Sequence, residues 1–223
     1  MQLAPYIDHT LLKPDSTEQQ MITLCTEAAE HGFASVCILP WHVATAAQVL
    51  AEMLTESLTE PTVPVCTVVG FPLGASTTHV KVAETARAIA DGATEIDMVI
   101  SITALKSGHY QQVLDDVRAV TEAAHGENAL VKVIIESCLL THDEKVRMCE
   151  IVSTAGADFI KTSTGFSTGG ATLDDVALLR RHVANHVKVK ASGGIRDRQT
   201  ALDMIAAGAE RLGTSSGVAI VAG

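Results

Sequence analysis

The chain has 223 residues, 47% of them hydrophobic and only 3% aromatic, with a formal net charge of −10. That length supports one sizeable core, and an acidic balance without a dense Lys/Arg run argues against nucleic acid or an anionic membrane surface as partner. No segment reaches the ~18 consecutive apolar residues of a membrane-spanning helix.

The N-terminal stretch MQLAPYIDHTLL lacks a basic region followed by a long apolar run and does not read as a leader. Cys25, Cys37, Cys66, Cys138 and Cys149 form no CxxC pair. They read as reduced thiols of an intracellular, cytoplasmic protein. In chain order, short β-branched runs are expected to form strands at residues 6–8, 35–39, 65–69, 95–100, 131–136, 158–161, 187–190 and 211–213. Amphipathic stretches such as 17–31 and 143–155 separate them as helices. HGFASV, DGATEI, AGADFI and AGAERL repeat one pattern, a glycine that closes a helix just before a strand. The strands recur about every 28 residues, the size of a βα unit. Eight units with no linker predict a closed (β/α)8 TIM barrel spanning residues 1–223 as a single domain.

Alternation along the strands sorts their side chains. In TEIDMVI, Ile96, Met98 and Ile100 share the face expected to pack on helices, leaving Glu95 and Asp97 inward. The same parity turns Lys132 and Glu136, Lys161, and Lys188 and Lys190 inward. Barrel interiors are ordinarily filled by Val, Ile and Leu, and buried charges are costly unless paired or functional. Some of this set reads as a structural ion-pair network. Lys161, Lys190 and Asp97 stand apart because they fall near the carboxyl ends of strands, where barrel active sites lie.

Two lysines on neighbouring strands suggest nucleophilic chemistry. Ammonium groups about 5 Å apart repel by roughly 3 kcal/mol at an effective dielectric near 20. One lysine is thereby pushed toward the free amine, able to attack a carbonyl and form a Schiff base. One of Lys161 and Lys190 is the expected nucleophile and the other the lysine that stays charged, with Asp97 pairing with that second lysine and handling protons. KASGGIRD and LGTSSGVAIV follow the seventh and eighth strands, where barrel enzymes often bind phosphate. Gly193 and Gly194 would allow close backbone approach to an anion, and Ser215 and Ser216 would supply N–H and hydroxyl donors. Neither loop matches GxxxxGK[ST], no HxH or HExxH spacing suggests a metal, and no GxSxG elbow is present. An acid–base lyase or isomerase acting on a phosphosugar without an imine remains the alternative on these residues alone.

IDHTLLKP, VVGFPLGAS, GATEIDMVI, ALKSGHY, KVIIESCLLT, GADFIKTSTGFSTGGAT, VKASGGIRD and GTSSGVAIV occur in this order over essentially the whole chain. Together they closely resemble the bacterial type of deoxyribose-phosphate aldolase. The resemblance implies a class I aldolase that needs no metal or organic cofactor. Its reaction would be the reversible cleavage of 2-deoxy-D-ribose 5-phosphate to acetaldehyde and D-glyceraldehyde 3-phosphate. It further implies Lys161 as the Schiff-base lysine, Lys190 and Asp97 as its partners, and Asp8 near the substrate hydroxyls. Thr164 would line the site, and Gly165, Gly193, Gly194, Ser215 and Ser216 would contact the phosphate. A small phosphosugar as ligand and a homodimer or other homo-oligomer as assembly are the associated expectations. The pattern departs from the family at Leu39 and Ser101, where Asn is common, and at Lys188, where a small residue is common.

Overall fold

A computed structural model describes residues 1–57 and 63–223, with side chains omitted for 55–57. Eight parallel strands close into a barrel. They are β1 (Ile7–Leu11), β2 (Ser35–Ile38), β3 (Val65–Val69), β4 (Glu95–Val99), β5 (Leu130–Ile134), β6 (Phe159–Lys161), β7 (Lys188–Ser192) and β8 (Arg211–Thr214). Each pairs with the next, and β8 returns to β1 through the partners Asp8 and Gly213. The helices are α1 (Glu18–His31), α2 (Val43–Ser57), α3 (Thr78–Ala90), α4 (Ile102–Lys106), α5 (Tyr110–His125), α6 (His142–Ala155), α7 (Leu173–His182), α8 (Arg198–Ala206) and α9 (Gly217–Ala222).

Local chemistry explains where the helices begin and end. Thr17 caps α1 in a reciprocal box with Gln20, and Thr141 caps α6 likewise with Glu144. Each arrangement satisfies two of the backbone donors that a helix start leaves unpaired. Gly32 and Gly156 close these helices in the left-handed conformation, as the repeated glycine pattern predicts. Outward-facing Ile96, Met98, Val131, Val133, Ile160 and Val189 are fully buried in the layer between barrel and helices. A separate small apolar cluster of Leu12, Cys37, Cys66 and Val68, flanked by Leu39 and Phe71, lies apart from that layer.

Three strands differ from expectation by two residues or more at one end, and each matters for the site. The first strand was placed at residues 6–8, but Tyr6 belongs to a 3-10 turn begun by Ala4 and Pro5, and β1 runs on to Leu11. That extension carries residues 12 and 13 to the carboxyl mouth of the barrel. β5 stops at Ile134 rather than reaching 136, because Glu136 turns into the left-handed region at φ 52°. β7 extends to Ser192, making that serine part of the strand rather than of the loop. Among the charges expected inward, Lys188 instead opens to solvent at the start of β7, with its Nζ 5.7 Å from the centre of the Phe159 ring.

Candidate active site

Register joins what parity placed inside. Lys161 on β6 is the direct partner of Lys190 on β7, and Asp97 on β4 that of Lys132 on β5. All four side chains are buried. Asp97 is their common contact: its Oδ2 lies 2.7 Å from Lys161 Nζ and 2.7 Å from Lys190 Nζ, and its Oδ1 2.8 Å from Lys132 Nζ. Beneath them a second layer continues the network. Asp8 meets Lys190 at 2.5 Å and Arg211 at 2.6 Å and accepts from Ser35 Oγ at 2.7 Å. Glu95 meets Lys132 at 2.6 Å and Arg211 at 3.2 Å.

Burial by itself would raise the Asp97 carboxyl, but Lys132, Lys161 and Lys190 around it outweigh that and hold it well below the usual carboxylate range. Asp8 is held low in the same way, chiefly by Lys190. Burial would lower Lys190, yet Asp8 and Asp97 more than compensate and raise it, so it stays an ammonium. Lys132 is raised as well, with Asp97 the largest of the charges opposing its burial. The ion-paired network thus sets four basic side chains (Lys132, Lys161, Lys190 and Arg211) against three carboxylates (Asp8, Glu95 and Asp97), while the buried Glu136 carboxylate bonds Thr164 outside it. Lys161 has the fewest carboxylate contacts of the four, touching only an oxygen it shares with Lys190. Asp97 therefore serves not one lysine, as expected, but three. The repulsion between Lys161 and Lys190 acts across an intervening carboxylate rather than through open space.

Above this network a cavity of about 370 Å³ opens at the carboxyl ends of the strands. It is lined by residues 10–13, Lys161, 164–166, 192–196 and 213–215. Lys161 is thus the member of the charge network that borders the cavity. A larger cleft of about 470 Å³ runs along the N-terminal segment past His31 and Arg198. It touches none of the interior charges, so the smaller cavity is the candidate site.

The loop after β6 is stitched to the end of β7. Ser192 N donates to Thr162 Oγ1 at 3.1 Å, Ser192 Oγ donates to Ser163 O at 2.6 Å, and Ala171 N donates to Gly193 O at 3.1 Å. Gly170 has to be glycine, since a Cβ there would lie 2.2 Å from Gly193 O. Thr164 donates its hydroxyl to the buried Glu136 carboxylate and accepts from Phe166 N at 3.0 Å. Thr214 couples the other two loops, with Oγ1 donating to Ile195 O at 2.7 Å and accepting from Ser216 N at 2.9 Å.

The expected site residues are therefore distributed over two levels. Lys161, Thr164, Gly165, Gly193, Gly194 and Ser215 line the cavity, with Lys190 and Asp97 directly below Lys161. Asp8 does not border the cavity; it is fully buried under Lys190 and consumed by ion pairing. Ser216 stands one residue beyond the lining, at the cap of α9. Residues outside that expected set also take part. Lys13 and Arg196 supply positive charge at the rim, on either side of the β8–α9 loop. Phe166 meets Phe71 edge to face, with centroids 5.2 Å apart, and Glu136 anchors Thr164. Drawing the first strand to Leu11 would have exposed Lys13 to the sequence argument.

The ligand atoms of Cys37, Cys66 and Asp97 lie within 4.8 Å of one another, a spacing a metal could use. Lys132 Nζ already lies 3.1 Å from Cys66 Sγ and 2.8 Å from Asp97 Oδ1, and two further lysines share Asp97. That donor set suits an ammonium group, and a divalent cation would face three lysines.

Comparison with known proteins bears on the same residues. Residues 3–223 match the family described as DeoC/LacD family aldolase. The chain is 58% identical over 221 residues to a deoxyribose-phosphate aldolase of Geobacillus sp. (strain WCH70), covering 99% of this chain and 95% of the relative. It is 56% identical over 223 residues to one of Brevibacillus brevis, covering 100% and 96%. Among solved structures, the deoxyribose phosphate aldolase of Aeropyrum pernix superimposes with a TM-score of 0.89 at 35% identity, covering 99% of this chain and 89% of that one. That protein is described as having a unique tetrameric structure.

Proposed function

The chain belongs to the DeoC/LacD family of aldolases, and we propose that Lys161 is the residue through which it forms a Schiff base with its substrate. The reaction is the reversible cleavage of 2-deoxy-D-ribose 5-phosphate to acetaldehyde and D-glyceraldehyde 3-phosphate. The observation that carries the residue assignment is the single Asp97 oxygen bridging Lys161 and Lys190.

Release of one proton from Lys161 leaves three buried cations facing three carboxylates. The amine attacks C1 of the open-chain aldehyde, and loss of water gives an iminium that acts as electron sink. The proton of the C3 hydroxyl passes to the Asp97–Lys190 pair, directly or through one water. The C2–C3 bond then breaks, its electron pair moving into an enamine of acetaldehyde as C3 becomes the aldehyde of glyceraldehyde 3-phosphate. Protonation of the enamine at C2 and hydrolysis of the imine release acetaldehyde and restore Lys161. Lys190, kept charged by Asp8 and Asp97, stabilises the oxyanion that appears at C3. The phosphate rests on the loops carrying Gly165, Gly193, Gly194, Ser215 and Ser216, between Lys13 and Arg196. Leu11, Leu12, Phe166 and Ile195 supply the apolar part of the cavity lining.

Reductive trapping tests the assignment. Borohydride added in the presence of acetaldehyde should leave an N-ethyl group on Lys161, located by peptide mass spectrometry. An adduct on any other residue, or none, removes Lys161 from the mechanism. For the assembly we propose a homodimer. The tetrameric Aeropyrum pernix relative supports self-association, as do the exposed Trp41 and Leu73 side chains. Light scattering of the purified chain decides it. The five free cysteines fit the reducing cytoplasm, and no helix among the described residues is long and apolar enough to cross a membrane.

A further inference from the structure

His9 sits on the outward face of β1 between Asp8 and Thr10, almost fully buried at 2% exposure. That face of a barrel packs on helices and is ordinarily apolar, so an imidazole there needs a reason. Its Nε2 lies 2.6 Å from Glu27 Oε2 on α1, and its ring packs on Phe33 with centroids 5.0 Å apart. Its Nδ1 points at Gly217, the first residue of α9: a Cβ on Gly217 would come within 2.8 Å of Nδ1 and 3.1 Å of the Phe33 ring. The imidazole is thus seated against the backbone where the loop carrying Ser215 and Ser216 becomes helix. His9 is also the strand partner of Thr214, the residue that ties this loop to the one carrying Gly193 and Gly194.

We propose that His9, oriented by Glu27, is a positioning residue for the phosphate end of the substrate. The inference rests on the aldolase reading above. A leucine could fill the same volume, but only a hydrogen-bonding ring can be fixed in rotation by a carboxylate on α1 and so hold the start of α9 at a set height. The polar groups of Ser215, which lines the cavity, then face the substrate phosphate in a defined place. Small displacements of such groups weaken binding and alignment disproportionately. His9 faces away from the interior charges, the nearest of which, Asp8, lies on the opposite face of the same strand, so its side chain bears on the phosphate loop rather than on the imine.

The test compares deoxyribose 5-phosphate with 2-deoxyribose, which lacks the phosphate, in His9→Leu, Glu27→Gln, Gly217→Ala and the double variant His9→Ala/Gly217→Ala. His9→Leu should raise KM for the phosphorylated sugar about tenfold with kcat within about twofold, so the preference for it over 2-deoxyribose falls about tenfold. Glu27→Gln should move the preference the same way by a smaller factor. Gly217→Ala should raise the same KM, and adding His9→Ala should recover part of the loss by freeing space. An unchanged preference in both His9→Leu and Glu27→Gln overturns the proposal, whether the two activities persist or fall together, since a parallel fall marks a purely structural role. If His9→Leu does not fold, Glu27→Gln and the Gly217→Ala pair decide by the same criterion. Unmodified enzyme that fails to cleave deoxyribose 5-phosphate would count against the aldolase reading itself, a result separate from any change in preference.

Discussion

Replacing Lys190 with methionine tests the electrostatic core of the mechanism. Methionine keeps much of the length and apolar stem but removes the charge, leaving Lys132, Lys161 and Arg211 opposite Asp8, Glu95 and Asp97. Lys161 then has Asp97 Oδ2 to itself, and the interior no longer holds a surplus cation. Both nitrogens lie 2.7 Å from that one oxygen, so they are no farther apart than twice that distance. At about 5 Å and an effective dielectric near 20, the ammonium pair repels by roughly 3 kcal/mol. Losing that repulsion removes an electrostatic contribution worth a factor on the order of a hundred. Stopped-flow measurement of imine formation at neutral pH should therefore show a fall of roughly a hundredfold. An unchanged rate at pH 7 would refute the charge-balance argument.

Other consequences are equally direct. Asp8 and Asp97 have pKa values held below those of an unfolded chain, so the unfolded state binds more protons in acid, and their stabilisation is present above about pH 4 and lost as the pH falls below it. Thermal unfolding followed from pH 7 down to pH 3 should show a falling Tm. Lys13→Met and Arg196→Met should each raise KM for the phosphorylated substrate, about tenfold at low salt and less at high salt, because both charges are solvent-exposed. Steady-state assays at two ionic strengths check this. Thr164→Val leaves the buried Glu136 carboxylate without its hydroxyl donor and Phe166 N without its acceptor, a loss of about 1–3 kcal/mol. Calorimetry should register it as a lower Tm of roughly 2–4 °C per kcal/mol for a chain of this size.

Strand alternation is a local property, and it placed Asp97, Lys132, Lys161 and Lys190 inside a barrel before any neighbour was known. Helix-closing glycines and capping threonines are local as well, which is why the βα units could be counted and the fold class named. The family motifs lie within single blocks of sequence and pointed to the same lysines. Partnership is not local. Asp8 and Arg211 meet across 203 positions, and Asp97 and Lys190 across 93; that Asp97 serves three lysines, and that Asp8 pairs with Lys190 below the cavity lining, follows only from closing the barrel. The left-handed turn at Glu136, held by Thr164, and the extra residues of β1 that bring Lys13 to the rim arise the same way. Pairing with adjacent strands overrides the weak preference of each short segment, and that pairing turned a set of inward charges into a site with one lysine bordering a cavity.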